Sequence, residues 1–203
     1  MGFYNDVLLP RLCHLAMRNG RLMPYRQRVA GSAAGRVLEI GAGSGLNLPF
    51  YGASVRELLA LEPSAQLIDI ARRSHGSSRM PLRFIEASAE AIPLDDDSVD
   101  TVVTTWTLCT IPHPIDALIE MRRVLRPGGR LLFVEHGRAP EMRVRWWQDR
   151  LTPAWRHLSG GCHLNRPIGS MIEQSGFRIA HLATAYMPGP RAMTFMYEGI
   201  ATT

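Results

Sequence analysis

The chain has 203 residues, of which 46% are apolar, and a formal net charge of +5 at pH 7; this suits a globular protein large enough to bury a core. All 23 basic residues are arginine, which excludes a Schiff-base lysine and a P-loop lysine. No apolar run reaches the roughly 18 residues of a membrane span, and the first residues lack the basic region that begins a signal peptide.

Residues 1–35 are predicted to form a helical cap. Apolar side chains recur there near helical spacing, at Val7, Leu8, Leu12, Leu15 and Ala16. Gly20 interrupts the pattern, and a second short helix is predicted over 24–30. Such a cap either covers a ligand site or packs on the sheet as an ordinary amphipathic helix.

A short apolar strand over 37–40 runs into a glycine-rich turn with the spacing Gly41-x-Gly43-x-Gly45. Bare backbone after a strand lets a nucleotide-like ligand approach closely. Glu39, two positions before the first glycine, places a carboxylate at the mouth of this turn. A helix is predicted to begin after the turn, over 46–51.

The acidic residue distinguishes between two classes of cofactor. Dinucleotide enzymes use G-x-G-x-x-G to bind a pyrophosphate, against which the Glu39 carboxylate would be poorly placed. S-adenosylmethionine (SAM) has no phosphate and carries an ammonium group, which suits a carboxylate. The turn therefore predicts SAM as the cofactor and S-adenosylhomocysteine as its product.

Acidic and small polar residues follow the next two predicted strands, 55–61 and 82–86. Glu62 ends the first of them and is placed to accept hydrogen bonds from both ribose hydroxyls. A helix is predicted over 64–74. The loop after the second strand contains Ser88, Ala89 and Glu90, where backbone and a small polar side chain can meet an adenine.

The fourth strand, 99–105, is rich in Val and Thr and ends where ligands bind in an open parallel sheet. Together with the preceding segments it completes the predicted cofactor site, which comprises Glu39, Gly41, Ala42, Gly43, Gly45, Asn47, Glu62, Pro63, Ser88, Ala89, Glu90, Thr105 and Trp106.

The second half of the chain continues the alternation and then changes. A helix over 114–125, a strand over 130–134, helices over 142–157 and 167–174, and two strands over 177–185 and 193–201 are predicted. The short connection between the last two strands favours an antiparallel hairpin. The whole pattern predicts an α/β fold with a Rossmann-like, doubly wound, mostly parallel sheet and helices on both faces.

Cys13, Cys109 and Cys162 are far apart and odd in number, which indicates free thiols in a reducing compartment and hence a cytoplasmic protein. Cys162 and His163 are adjacent but lack a second ligand pair, so no metal is expected. Arginines crowd the stretch 138–166, which makes it the candidate for contact with a membrane surface. No pattern of a nucleic-acid module is present.

Five segments resemble the class I SAM-dependent methyltransferases in order and spacing, over residues 36 to about 135. They are 37–45, 61–63, 89–93, 100–103 and 122–129. The resemblance implies a seven-stranded sheet with an antiparallel last strand. Ser88 stands where the family often has an aspartate that binds the adenine amine, which leaves that contact to Ser88 and the backbone of Ala89.

The acceptor half is similar to the thiol S-methyltransferases of animals, at 108–110, 135–136, 147–148, 153–155 and 161–162. Segments 47–51 and 187–190 are also similar. This implies a small-molecule acceptor, first of all a thiol or sulfide. N- or O-methylation of a lipid amine or a quinone, and SAM binding without catalysis, are the alternatives. The hydrophobic N-terminal anchor of the animal proteins is not expected here.

His136 is the candidate for orienting or deprotonating the acceptor, because it follows the fifth strand beside Glu135. A role restricted to holding the loop is the alternative. The predicted acceptor-binding residues are Cys109, His113, Trp147 and Cys162. Trp146, Trp147 and Trp155 are expected to pack as a third layer that makes the pocket apolar. We expect one domain over 1–203: a cap over 1–35, a SAM-binding core over 36–135, and acceptor-side helices with the hairpin over 136–203.

Overall fold

The fold is that of a computed structural model, which describes residues 9–75 and 80–203. The strands are β1 Gly35–Ile40, β2 Val55–Leu61, β3 Leu82–Ile85, β4 Val99–Thr105, β5 Leu125–His136, β6 Arg178–Tyr186 and β7 Phe195–Thr202. The helices are α1 Leu9–Met17, α2 Met23–Gly31, α3 Ala65–His75, α4 Pro114–Val124, α5 Met142–Leu158, α6 Ile168–Gln174 and α7 Arg191–Thr194. Val7, Leu8 and the side chain of Cys13 lie outside the described part.

All seven strands form one sheet in the order β3-β2-β1-β4-β5-β7-β6. The first five pair in parallel, whereas β7 is antiparallel to both β5 and β6. The predicted mostly parallel sheet with an antiparallel last strand is therefore confirmed. Because β1 and β4 are neighbours, the turn after β1 and the loop after β4 meet at one edge.

The central strands are buried on both faces, which explains their continuous apolar sequences. Leu38 of β1 packs in one apolar cluster with Leu118 and Met121 of α4. Its neighbour Val37 packs in a second cluster with Val29 of α2. Alternate residues thus point to opposite faces, and helices cover both.

Two predicted elements differ from the structure. The segment 46–51 does not form an α-helix: it contains a single 3-10 turn, Leu48–Phe50, and β2 begins shortly after it. β5 begins at Leu125, earlier than predicted, because the chain is already extended there. Pro127 disfavours a helical conformation at the residue before it, so the chain stays extended once α4 has ended at Val124, one residue before the predicted end.

The hairpin connection also differs in detail, because α7, a single helical turn, lies between β6 and β7. Across the described residues, none of the helices has both the length and the apolar character that crossing a bilayer requires.

Candidate active site

The glycine turn lies at the carboxyl end of β1, and all three glycines have positive φ angles, +65° at Gly41, +56° at Gly43 and +77° at Gly45. A Cβ at Gly41 would lie 2.4 Å from Thr107 Cγ2, so this position packs tightly against the loop after β4. A Cβ at Gly43 would have no neighbour closer than 3.9 Å. The turn is therefore closed on the side of Gly41 and open at Gly43.

Glu39 lies beneath this turn in a buried polar network. Asn47 Nδ2 donates to Glu39 Oε1 at 2.7 Å and to Thr105 Oγ1 at 2.9 Å. Arg26 of α2 donates from Nη1 to Asn47 Oδ1 at 2.6 Å. Asn47, predicted to touch the cofactor, thus has both ends of its amide engaged with protein groups. Arg26 connects the cap to β1, a role that the sequence did not indicate.

The Glu39 carboxylate is 1% exposed, and its burial raises its pKa to about 7, although the hydrogen bond from Asn47 and the charge of Arg26 lower it. Its second oxygen, Oε2, has no hydrogen-bond partner among the described residues. The Tyr51 hydroxyl, which is also buried without a hydrogen bond of good geometry, acts on this carboxylate as a donor and lowers its pKa, so a ligand would share the carboxylate with it. A buried carboxylate oxygen without a partner is suited to receive a cationic group.

Glu62 follows β2 and is held by two backbone amides. Gly43 N donates to its Oε2 at 2.9 Å, and Ser64 N donates to its Oε1 at 3.0 Å. Burial raises the pKa of Glu62, and these two hydrogen bonds lower it. Each carboxylate oxygen keeps a lone pair for a further donor, such as a ribose hydroxyl. Pro63, which follows Glu62, is exposed.

The loop after β3 forms a separate polar group. Ser88 Oγ lies 3.1 Å from Glu90 Oε2, and the Glu90 amide donates to the same hydroxyl at 3.2 Å. Glu90 Oε1 accepts a 2.7 Å hydrogen bond from the His113 amide. His113 therefore lies at the start of α4 beside the predicted adenine loop rather than in the acceptor cluster. Ala89, which lies between Ser88 and Glu90 in the sequence, is buried.

β4 ends in a strained turn beside the glycines. Trp106 has a φ of +52°, which is rare for a bulky residue. The Arg26 guanidinium lies 4.9 Å from the centre of its ring, and Tyr25 packs edge-on against it at 6.3 Å. The Trp106 indole thus lies between the cap and the sheet.

The same turn is held by Glu135, which is fully buried in β5. Thr104 Oγ1 and the Thr107 amide both donate to Glu135 Oε1, at 2.8 and 3.0 Å. Burial raises the pKa of Glu135 to about 7, although these hydrogen bonds lower it. Glu135 therefore positions the loop that carries Trp106 and Cys109.

Three predicted acceptor-side residues come together at this edge. Cys109 follows β4, His136 ends β5, and Cys162 follows α5; one donor atom from each lies within 4.8 Å of the others. Cys162 Sγ is 3.3 Å from His136 Nε2. Cys109 and His136 are buried, and Cys162 is partly exposed. The two thiols are free, as predicted.

The charges of this cluster depend on one another. The hydrogen bond with Cys109, and then that with His136, lower the pKa of Cys162. The pKa of Cys109 is raised by the same hydrogen bond and by burial. Burial lowers the pKa of His136, but the interactions with Cys162 outweigh it, and the net shift is upward. The 3.3 Å contact between Cys162 Sγ and His136 Nε2 therefore contributes both to the lowered pKa of the thiol and to the raised pKa of the imidazole.

Arg166 is a residue of this cluster that the sequence did not reveal. It belongs to the arginine-rich stretch 138–166, for which a membrane surface contact is predicted, yet it is only 8% exposed. Its guanidinium donates a short hydrogen bond to the Leu108 carbonyl, and burial lowers its pKa while Cys109 and Cys162 raise it. A buried cation thus lies within electrostatic range of both sulfur atoms.

The predicted third layer of tryptophans is wrong for two of its three members. Trp146 and Trp147 are 47% and 49% exposed and pack edge-on against each other at 4.8 Å on the outer side of α5. The buried residues of α5, Gln148 and Thr152, lie on the opposite side. Trp155 is partly buried, and its indole interacts with Cys162.

The residues at this edge fit SAM. The open space at Gly43 admits a ligand, the Glu62 carboxylate is presented with free lone pairs, and Glu39 Oε2 is a buried acceptor without a partner. These features suit a nucleoside with two hydroxyl groups and an ammonium group. Gly43, Glu62 and Glu39 would hold it, and the Cys109, His136 and Cys162 cluster lies at the same edge of the sheet.

Comparison with known proteins agrees with this geometry. Residues 38–133 match the family model described as a methyltransferase domain. Human thiol S-methyltransferase TMT1A is 34% identical over 168 residues, which cover 80% of this chain and 68% of that protein. Rat thiol S-methyltransferase TMT1B is 37% identical over 145 residues. Those residues cover 70% of this chain but only 59% of the rat protein.

One bacterial relative is named for a quinone acceptor rather than a thiol. Demethylmenaquinone methyltransferase of Clavibacter sepedonicus is 35% identical over 122 residues, which cover 60% of this chain and 49% of that protein. Among solved structures, an S-adenosylmethionine dependent methyltransferase from Mesorhizobium loti superposes with a TM-score of 0.69. It is 16% identical and covers 92% of this chain and all of its own, so it shares the fold.

Proposed function

We propose that this chain, which belongs to the class I SAM-dependent methyltransferases, transfers the methyl group of SAM to the sulfur of a small thiol or of sulfide. The observation that carries this proposal is the extent of the similarity to the thiol S-methyltransferases. It covers 70–80% of the chain, whereas the family model ends at residue 133. The similarity therefore includes residues of the acceptor half.

The side chains at the carboxyl ends of the parallel strands are compatible with a thiol acceptor. SAM supplies a methyl group that is already activated on a sulfonium, so the protein mainly has to position the two sulfur atoms. An ordinary thiol has a pKa of about 8.5 and is partly ionised near neutral pH. His136, whose Nε2 already contacts Cys162 Sγ, then needs only to orient the acceptor.

The test is methyl transfer from labelled SAM by the purified full chain. The acceptors are a small alkyl thiol, sulfide, a reduced naphthoquinol and vesicles that contain phosphatidylethanolamine. We expect label in the thioether product, and Glu62→Gln to reduce it sharply by weakening SAM binding. Label found in lipid or quinol, with none in either sulfur acceptor, would contradict the proposal.

Methylation of a lipid amine or a quinone is the second candidate, and two observations favour it. One relative is named as a demethylmenaquinone methyltransferase, and another, from Cereibacter sphaeroides, as a phosphatidylethanolamine N-methyltransferase. The outer face of α5 exposes Trp146, Trp147 and Met142 next to arginines, a composition suited to a lipid surface. The same acceptor panel separates the two candidates.

SAM binding without catalysis is the third candidate function, and it predicts a different result for the same purified chain and acceptor panel. Calorimetry would show binding of SAM, and no acceptor of the panel would become labelled. The cluster of Cys109, His136 and Cys162, at the same edge of the sheet as the predicted cofactor site, favours a reactive site instead.

A further inference from the structure

We propose that Cys109, Cys162 and His136 bind a soft divalent metal ion, zinc by class, and leave one coordination position open. Their donor atoms lie within 4.8 Å of one another, and Cys162 Sγ is 3.3 Å from His136 Nε2. Tetrahedral zinc, with bonds of about 2.3 Å to sulfur and about 2.0 Å to nitrogen, separates these two ligand atoms by about 3.5 Å. The pair already has nearly this spacing.

The donor set selects the kind of metal. Two thiolates and an imidazole suit zinc, whereas magnesium and calcium require oxygen ligands. Cys162 and His163, adjacent in the sequence and without a second ligand pair, predict no metal site, but the fold brings different ligands together. Cys109 comes from the loop after β4 and His136 from the end of β5. The spacing of these ligands in the sequence matches no zinc motif.

The backbone holds the three ligands together without the metal. The His163 amide donates a 2.8 Å hydrogen bond to the Cys109 carbonyl, which ties the segment of Cys162 to the loop after β4. Arg166 fixes the same loop through the Leu108 carbonyl. Ligands that are positioned in advance lower the entropic cost of binding a metal.

The charges of the metal ion, its thiolate ligands and the nearby Arg166 also balance. Two thiolates neutralise a divalent ion, and a third anionic ligand would leave one negative charge. Arg166 is buried beside the loop of Cys109, where its guanidinium donates to the Leu108 carbonyl, so its positive charge can compensate that negative charge. Three protein ligands and one open position are the arrangement of catalytic zinc sites, and two cysteines with one histidine are a known set.

The open position would take the acceptor, a step that rests on the proposed thiol methylation. An acceptor thiol binds the metal as a thiolate and releases its proton to solvent. A sulfur lone pair forms the new bond to the methyl carbon while the sulfonium–methyl bond breaks, and its electron pair stays on the donor sulfur. The products are a thioether and S-adenosylhomocysteine, and the metal ion is unchanged.

The experiment measures metal binding directly. The full chain is purified under reducing conditions, freed of metal with a chelator, and titrated with zinc and with cobalt(II). We expect one metal ion per chain by elemental analysis and a thiolate-to-cobalt charge-transfer band. Cys162→Ser should weaken zinc binding by more than the roughly 10- to 100-fold that outer-shell changes cost. Cys13→Ser, which removes the third cysteine of the chain, is the matched control and should bind like the wild type.

The outcomes separate the two proposals. A wild-type chain that methylates thiols but binds neither zinc nor cobalt overturns the metal site and leaves the thiol reaction standing. Equal metal binding by Cys162→Ser and the wild type also overturns it, and circular dichroism confirms that the variant is folded. A chain that binds zinc through Cys162 but labels only lipid or quinol overturns the thiol acceptor and the role of the open position.

Discussion

The amide of Gly43 donates a 2.9 Å hydrogen bond to Glu62 Oε2, and this contact joins the turn after β1 to the residue after β2. The two strands are parallel neighbours in register, with Ile40 opposite Leu61, so their ends lie at the same edge. A second amide, from Ser64, holds the other carboxylate oxygen. The acid is thereby oriented before any ligand binds.

Glu62→Gln should weaken SAM and S-adenosylhomocysteine binding about 10- to 100-fold, because a hydrogen bond to a charged group is worth about 1.5–3 kcal/mol. Isothermal calorimetry measures the change. Glu57→Gln is the matched control, since Glu57 lies on the same strand and pairs with Arg36 at the surface. Equal affinities for Glu62→Gln and the control would show that Glu62 does not hold the ligand.

Gly41→Ala should destabilise the protein more than Gly43→Ala. Both backbones are left-handed, which costs a side chain about 1–2 kcal/mol. At Gly41 the new Cβ would also meet Thr107 side-chain atoms at 2.4–2.5 Å, and overpacking adds about 1–3 kcal/mol. Urea unfolding measures both losses. Similar losses for the two variants would contradict the packing of Thr107 on Gly41.

Stability should fall as the pH rises, in part because of Glu39. The pKa of this buried carboxyl is raised from 4.5 to about 7, so ionisation is easier in the unfolded chain. The stability contribution is complete below pH ~4.5 and is lost as the pH rises towards about 7. At about 1.4 kcal/mol per pKa unit, the loss is on the order of 3 kcal/mol.

Glu39→Gln tests this contribution, because the amide does not ionise. Urea unfolding of the wild type and the variant at several pH values should show a smaller decline for the variant. The decline should not vanish, since burial also raises the pKa of Glu135 to about 7 and acts in the same direction. Identical pH profiles would mean that Glu39 is solvated in the folded protein.

The outer face of α5 should bind anionic membranes. Arg150 lies 3.9 Å above the ring of Trp146, and Met142 on the same helix is 84% exposed. Near an anionic surface each arginine contributes about 1 kcal/mol, so Arg150→Ala should weaken binding to phosphatidylglycerol vesicles about fivefold. Sedimentation at low and high salt measures this effect.

Leu182→Ala, which changes an exposed apolar residue of β6, is the control for that experiment and should leave vesicle binding unchanged. Binding to neutral and anionic vesicles with equal strength would indicate that the arginines of α5 play no part. No binding to either would remove the membrane contact that the arginine-rich stretch predicts.

The cofactor half was largely predictable because its signals are local. The strand, the glycines and Glu39 lie within ten residues, and Glu62 comes at the end of the next strand. Strands that alternate with helices are parallel, so the carboxyl ends of these two strands lie at the same edge of the sheet. The predicted helix over 46–51 failed because Pro49 and the short connection to β2 leave room for one turn only. The Trp146 and Trp147 prediction failed because an apolar side chain on a helix does not reveal which face is buried.

The sequence by itself determined the order of strands and helices along the chain, the glycine turn, the acid near the end of β1 and the acid that follows β2. Only the tertiary structure decided that Cys109, His136 and Cys162 meet, and that Arg166 lies buried beside them rather than on the surface. The physical reason is sequence separation. Cys109 and His136 become neighbours through the pairing of β4 with β5, and Cys162 joins them only because the segment after α5 folds back onto Cys109.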